Sequence, residues 1–119
     1  MNVLTWNVKG LGESVKRAGV RDFCALNKVD VICFQETKLA SVNASILRSI
    51  GMSQNFIWAW LDAEGSAGGL LTGCSKMAWR SEARGCHSLT VLLKNNADNS
   101  IRALTNVYGP HSARVGQIL

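Results

Sequence analysis

Three polar side chains stand where such side chains are uncommon: Asn7 near the end of a β-prone apolar stretch, Glu36 just past a second, and Tyr108 at the end of a third. Strand ends are where α/β sheets gather ligand groups. If these strands align, an amide, a carboxylate and a phenol converge at one edge and make a partial site for a divalent cation and a phosphate. Mg²⁺ takes one or two protein carboxylates, keeps several waters and completes its shell with substrate phosphate oxygens. Glu36 is therefore the candidate metal ligand, with Asn7 beside it. Spacing alone also allows plainer readings. Asn7 next to a glycine loop can be a turn former, Glu36 beside Lys38 a solvated carboxylate, and Tyr108 before Gly109-Pro110 a ring packed under a turn.

The elements that must position these residues follow from the pattern. Val3 to Val8 reads as a strand ending in the loop Lys9-Gly10-Leu11-Gly12, and Ser14 can cap a helix running to about Asn27. That helix would bury Val20, Phe23 and Cys24 and turn Lys16, Arg17 and Arg21 to water. Val29 to Phe34 is apolar except for Asp30, as in a strand covered on both faces, so strand, helix and strand predict a right-handed parallel crossover. Ser41 can cap a second, short helix with Val42, Ile46, Leu47 and Ile50 on one stripe and Gly51 as its stop. Beyond it, Phe56 to Leu61, Gly69 to Thr72, Ala78 to Glu82, His87 to Lys94 and Ser100 to Val107 read as successive antiparallel strands, with Asn95 to Asn99 a hairpin loop. Ser112 to Leu119 begins as a helix without a stop signal, which predicts a chain cut inside an element.

Two glycine-rich stretches invite other functions. Strand, Gly10-x-Gly12, helix and then Glu36 imitate a dinucleotide-binding unit, but Val15 holds the third glycine position, where a branched side chain obstructs close helix-to-sheet packing. No G-x-x-x-x-G-K-[ST] run is present. Gly68-Gly69 is either a tight strand connection or a place where nucleic acid comes close to backbone.

The chain has 119 residues, enough for one small domain or part of a larger one. Hydrophobic residues make up 47% and charged residues 18%, a balance that excludes intrinsic disorder. The 13 Lys and Arg against 8 Asp and Glu leave a net charge of +5, which favours polyanionic partners. Cys24, Cys33, Cys74 and Cys86 have no C-x-x-C spacing, so buried thiols are expected rather than zinc or redox chemistry. The longest apolar run, Phe56 to Leu61, is too short for a membrane span, and no secretion signal opens the chain. The expected setting is intracellular, nuclear or cytoplasmic, with no membrane partner.

Four motifs in order, Thr5-Trp6-Asn7-Val8-Lys9-Gly10-Leu11-Gly12, Phe34-Gln35-Glu36-Thr37-Lys38, Ser66-Ala67-Gly68-Gly69-Leu70 and Thr105-Asn106-Val107-Tyr108-Gly109-Pro110, resemble the endonuclease/exonuclease/phosphatase superfamily. In wording they are most similar to the apurinic-type endonuclease domain of plant LINE (non-LTR) retrotransposon polyproteins. The resemblance implies the N-terminal portion of a four-layered α/β sandwich, two packed mixed β-sheets flanked by helices, and Mg²⁺- or Mn²⁺-dependent phosphodiester cleavage in DNA. Carried over by position, Asn7 matches the asparagine that organises the metal and phosphate environment, Glu36 the principal metal ligand, and Tyr108 the phenol on the scissile phosphate. Arg114 matches a basic residue contacting DNA, and Lys9 and Lys38 adjoin the motifs and can contribute to nucleic-acid binding.

The departure concerns catalysis. Enzymes of the resembled family carry a downstream Asp-x-Asn that orients the attacking water and an Asp-His pair at the phosphate, and neither occurs in this sequence. Residues 1–119 are thus expected to be a partial domain, truncated after the Tyr-Gly-Pro motif, with weak or no activity alone. Other readings stay open: a basic nucleic-acid-binding remnant, a small-substrate phosphatase or phosphodiesterase, and self-association through exposed sheet surface.

Overall fold

The β-branched and aromatic run near the N-terminus forms strand β1 (Val3–Asn7), and the charged amphipathic stretch after the glycine loop forms helix α1 (Ser14–Leu26). The computed structural model describes residues 1–51, 55–65, 67–108 and 117–118, the last two by their backbone. Strand β2 (Val31–Gln35), helix α2 (Ala44–Ile50) and strands β3 (Phe56–Leu61), β4 (Leu70–Ser75), β5 (Trp79–Arg84), β6 (Ser88–Lys94), β7 (Ile101–Val107) and β8 (Gln117–Ile118) follow. Strands β1-β2-β4-β3 make one sheet and β5-β6-β7-β8 a second. The expected parallel crossover joins β1 to β2, with Asn7 opposite Gln35. The remaining pairs are antiparallel: β3–β4, β5–β6 and β6–β7 as expected, β2–β4 and β7–β8 as pairings that the sequence pattern did not announce.

Every side chain of β2 is buried, because successive residues point to opposite faces and both faces are covered. Ile32 and Phe34 pack with Val20 and Cys24 of α1 and Ile50 of α2. Val31 and Cys33 pack the other way, with Cys74 and with Val91, Leu93 and Leu104 of the second sheet. The layers are therefore helices, first sheet, second sheet, a mixed α/β sandwich of two sheets with helical flanking. Trp6 is held between Phe23 and Phe34, with ring centroids 5.3 and 6.2 Å away. On the outer face of the second sheet Leu92 and Ile101 are exposed, and among the described residues no helix covers them.

Several local expectations are corrected. Glu13, extended and making no side-chain cap, precedes α1, so Ser14 is its first residue and not its cap. Asn43 rather than Ser41 caps α2, its Oδ1 accepting from the Ile46 N–H at 2.9 Å. Gly51 does stop α2, in the left-handed conformation at φ +78°. Arg17 does not simply face water. Its guanidinium donates to the Leu11 carbonyl (2.7 Å) and to Ser49 Oγ (2.6 Å), tying α1 to α2. Val15 is 80% exposed and obstructs nothing, so the steric part of the argument against a dinucleotide site falls away. Phe23 is likewise partly exposed at the helix margin. At the C-terminal end, 117–118 pair with β7 as strand instead of continuing a helix, and the rest of that stretch lies outside the described residues.

One polar cluster crosses the apolar layer between the sheets. Asn106 of β7 is fully buried, accepts from Gln35 Nε2 at 2.7 Å, and donates from Nδ2 to the Phe34 carbonyl (3.1 Å), Thr72 Oγ1 (3.1 Å) and the Leu71 carbonyl (3.4 Å). Among the described residues no buried side-chain polar atom lacks a partner. A satisfied buried network is stabilising only while complete, since each orphaned group costs about 1–3 kcal/mol. Asn106→Ala is accordingly expected to destabilise the chain by about 2–4 kcal/mol, read as a lowered urea midpoint.

Burial also separates the cysteines. It pushes the thiol of Cys24 up to about 11 and those of Cys33 and Cys74 up to about 12, a hydrogen bond with Thr72 partly opposing the shift at Cys33. Cys86 alone of the four is exposed. The thiolate is the reactive form, so at pH 8 a thiol-specific probe is expected to label Cys86 in the folded chain and all four cysteines after unfolding.

Candidate functional site

Parallel pairing of β1 with β2 sets the first part of the site. Asn7 lies opposite Gln35, so Asn7 and Glu36 leave the first sheet at the same edge. The two loops beyond are laced by backbone hydrogen bonds: Val8 N–H to the Gln35 carbonyl (3.1 Å), Gly10 N–H to Glu36 (2.8 Å) and Leu11 N–H to Thr37 (2.8 Å). Asn7 Oδ1 accepts from the Lys9 N–H at 3.2 Å, so Asn7 is a turn former as well as an edge residue. Lys9, Glu36 and Lys38 all adopt left-handed backbone, with φ of +52°, +59° and +57°. Such conformations cost energy in residues with a Cβ and persist where surrounding structure enforces them, commonly at ligand sites.

The lacing explains where the charged side chains go. The Lys38 stem passes over Gly10, whose missing Cβ would lie 3.8 Å from Lys38 Cδ. Its ammonium reaches Glu36 Oε1 at 3.8 Å. The Glu36 side chain is 24% exposed and that of Lys38 43%, so the carboxylate is half-sheltered rather than freely solvated. Lys9 is exposed on the same edge.

Tyr108 reaches this edge through the glycine pair. The Thr37 N–H donates to the Gly69 carbonyl (3.2 Å) and the Lys38 N–H to the Gly68 carbonyl (2.8 Å), which seats the Glu36 loop on Gly68-Gly69. A Cβ on Gly68 would stand 3.7 Å from Tyr108 Cε2, so the phenol ring lies over Gly68. Gly69, at φ +95°, leaves no room for a side chain: a Cβ there would meet Thr37 Oγ1 at 2.2 Å. The pair is thus the tight connection that the sequence allowed. The Tyr108 N–H donates to the His87 carbonyl at 3.0 Å, and the ring also packs on Ala59, Leu70 and Leu89. Tyr108 therefore packs into the interior and adjoins the Glu36 loop at once, while the Gly109-Pro110 turn lies outside the described residues.

A cleft of about 240 Å³ opens beside this edge, with Tyr108, His87, Gly68, Gly69, Asp62 and Glu64 in its wall. Asn7 and Glu36 do not line it. His87 enters the site through the β5–β6 hairpin, for which its sequence neighbours hold no signal. Gln35 and Asn106 were also missed as positioning groups. Each is a polar residue at an inward position beside a site residue, which strand alternation could have shown. Arg114 lies outside the described residues.

Glu36 and Asn7 are hard oxygen donors, the chemistry Mg²⁺ and Mn²⁺ accept, and waters and phosphate oxygens commonly complete such a set. Among the described residues no three His, Cys, Asp or Glu side chains cluster as a self-sufficient metal centre. The donors present thus fit a divalent cation that is shared with a phosphate.

Residues 4–109 match the model of the endonuclease/exonuclease/phosphatase family. Among solved structures, the chain is similar to the AP endonuclease LMAP from Leishmania major, with a TM-score of 0.67 and 26% identity over 89% of this chain and 39% of that one. It is also similar to the APE2 catalytic domain of Xenopus laevis, with a TM-score of 0.65 and 17% identity over 92% of this chain and 45% of that one, a likeness of fold alone. The chain spans less than half the length of either. No curated protein sequence matches it. With a family match over nearly the whole chain, two packed sheets flanked by helices, and an AP endonuclease among its structural neighbours, the chain belongs to the endonuclease/exonuclease/phosphatase family.

Proposed function

We propose that this chain carries one half of the active site of a metal-dependent endonuclease acting on DNA, and that by itself it cleaves weakly or not at all. The observation that supports this most is the register Asn7 opposite Gln35, which sets an amide and a half-sheltered carboxylate on one edge, with Tyr108 joined to that edge across Gly68. In this reading Glu36 and Asn7 hold Mg²⁺ or Mn²⁺, and the Tyr108 hydroxyl donates to an oxygen of the scissile phosphate. Lys9, Lys38 and Arg114 neutralise flanking phosphates, contacts that position a nucleic acid without reading its sequence. A bound cation supplies Lewis-acid polarisation of the phosphate and charge stabilisation at the leaving oxygen. No residue assigned here activates water, and the sequence has neither an Asp-x-Asn nor an Asp-His pair. Missing groups of that kind cost several orders of magnitude in rate. The wording of the four motifs supports kinship with the endonuclease of plant LINE-type elements.

The deciding measurement is nicking of supercoiled plasmid in Mg²⁺ by folded wild type and folded Glu36→Ala. The expected result is little or no nicking by either. Rapid nicking that Glu36→Ala abolishes would show that other groups supply the water-activating function. The net charge of +5 favours a second reading, a nucleic-acid-binding module without turnover. It predicts duplex binding whose affinity falls steeply between 50 and 200 mM salt, roughly in proportion to the number of phosphates contacted. Binding that ignores salt would eliminate it.

A further inference from the structure

We propose that Lys38 is an internal counter-ion to Glu36, one that a divalent cation must displace and that thereby ties cation binding to phosphate binding. The inference rests on the reading of Glu36 as the carboxylate that takes the cation. Three observations carry it. The Lys38 ammonium lies 3.8 Å from Glu36 Oε1, and it is the only ion-pair partner of that carboxylate among the described residues. The pairing is not a chance meeting of two long side chains, because the Lys38 stem is laid over the side-chain-free surface of Gly10. The backbone also holds it: Glu36 and Lys38 are both left-handed, and the Lys38 N–H is bonded to the Gly68 carbonyl at 2.8 Å.

The physical consequence is competition. A carboxylate with a fixed ammonium beside it has part of its field already neutralised, and a divalent cation at the same oxygen is repelled by that ammonium. Entry of the cation therefore drives Lys38 off Glu36 and leaves a lysine free to take a phosphate oxygen. By thermodynamic reciprocity a phosphate that engages Lys38 also eases entry of the cation. Lys9 is the natural control, because it is exposed on the same edge and makes no ion pair among the described residues.

The test is titration of the DNA-free chain with Mn²⁺, followed by calorimetry or by the electron paramagnetic resonance of free Mn²⁺. Wild type, Lys38→Met, Lys38→Gln, Lys9→Met and Glu36→Gln are compared, each confirmed folded by its melting curve. Methionine keeps most of the stem that covers Gly10, and glutamine guards against an effect peculiar to methionine. Both Lys38 variants are expected to bind Mn²⁺ about three- to fivefold more tightly than wild type, the range that a partly exposed ion pair supports. Lys9→Met should change the affinity less than twofold. Equal tightening in the Lys9 and Lys38 variants would overturn the proposal in favour of a general field, and unchanged or weaker binding in the Lys38 variants would overturn it outright. If Glu36→Gln binds as wild type does, the assignment of Glu36 is what fails.

Discussion

The Gln35–Asn106 hydrogen bond is the contact on which the arrangement of this molecule turns. It crosses an otherwise apolar seam at 2.7 Å, and its two partners sit one residue before Glu36 and two residues before Tyr108. Apolar side chains would let two sheets slide with little loss, because dispersion and burial are not directional. An amide that must find Gln35 Nε2, Thr72 Oγ1 and two backbone carbonyls at once permits one relative placement. The sheet end that carries Glu36 and the strand end that carries Tyr108 are thereby held to one another through the protein interior. Under the proposed function this placement matters, since small misplacements of positioning groups are costly in rate.

The same logic runs through the smaller contacts. Gly69 brings two backbone segments closer than any side chain would allow, and Gly68 offers a flat seat for the Tyr108 ring. The left-handed residues Lys9, Glu36 and Lys38 are kept in place by hydrogen bonds between the loops they belong to. Strain and ladder are thus parts of one device: the loops are tight because they are bonded to each other, and their polar side chains are consequently held at the edge. The β1 tryptophan, packed between Phe23 of α1 and Phe34 of β2, joins the helix layer to the strands that carry this device.

The candidate site is accordingly well ordered in its supports. The fold is that of the endonuclease/exonuclease/phosphatase family, and the sequence contains neither an Asp-x-Asn nor an Asp-His pair. Positioning and proton transfer are separable contributions, and the contacts described above belong to the first.

The hydrophobic pattern by itself determined which stretches are strands and which are helices up to Val107, because burial on one or two faces leaves its mark in the residue types, whereas 117–118 became strand against a helical expectation. The near-continuous apolar run from Val29 to Phe34 announced a doubly covered strand, and Gly51 announced the helix end that the structure shows at φ +78°. Motif order in the same way pointed to the family. Caps were less legible: Ser14, Ser41, Glu13 and Asn43 lie close together in type and position, and only the backbone conformation selects among them. The tertiary structure alone decided the distant partners of Arg17, Asn106, Gln35 and His87, which lie 32 to 72 residues away or enter through another hairpin. It also decided that Val15 points to solvent, and that Lys38 folds back on Glu36 rather than outward. Long-range contacts of this kind write no local period into a sequence: they depend on which strand ends the register brings together, and register is a property of the assembled sheets.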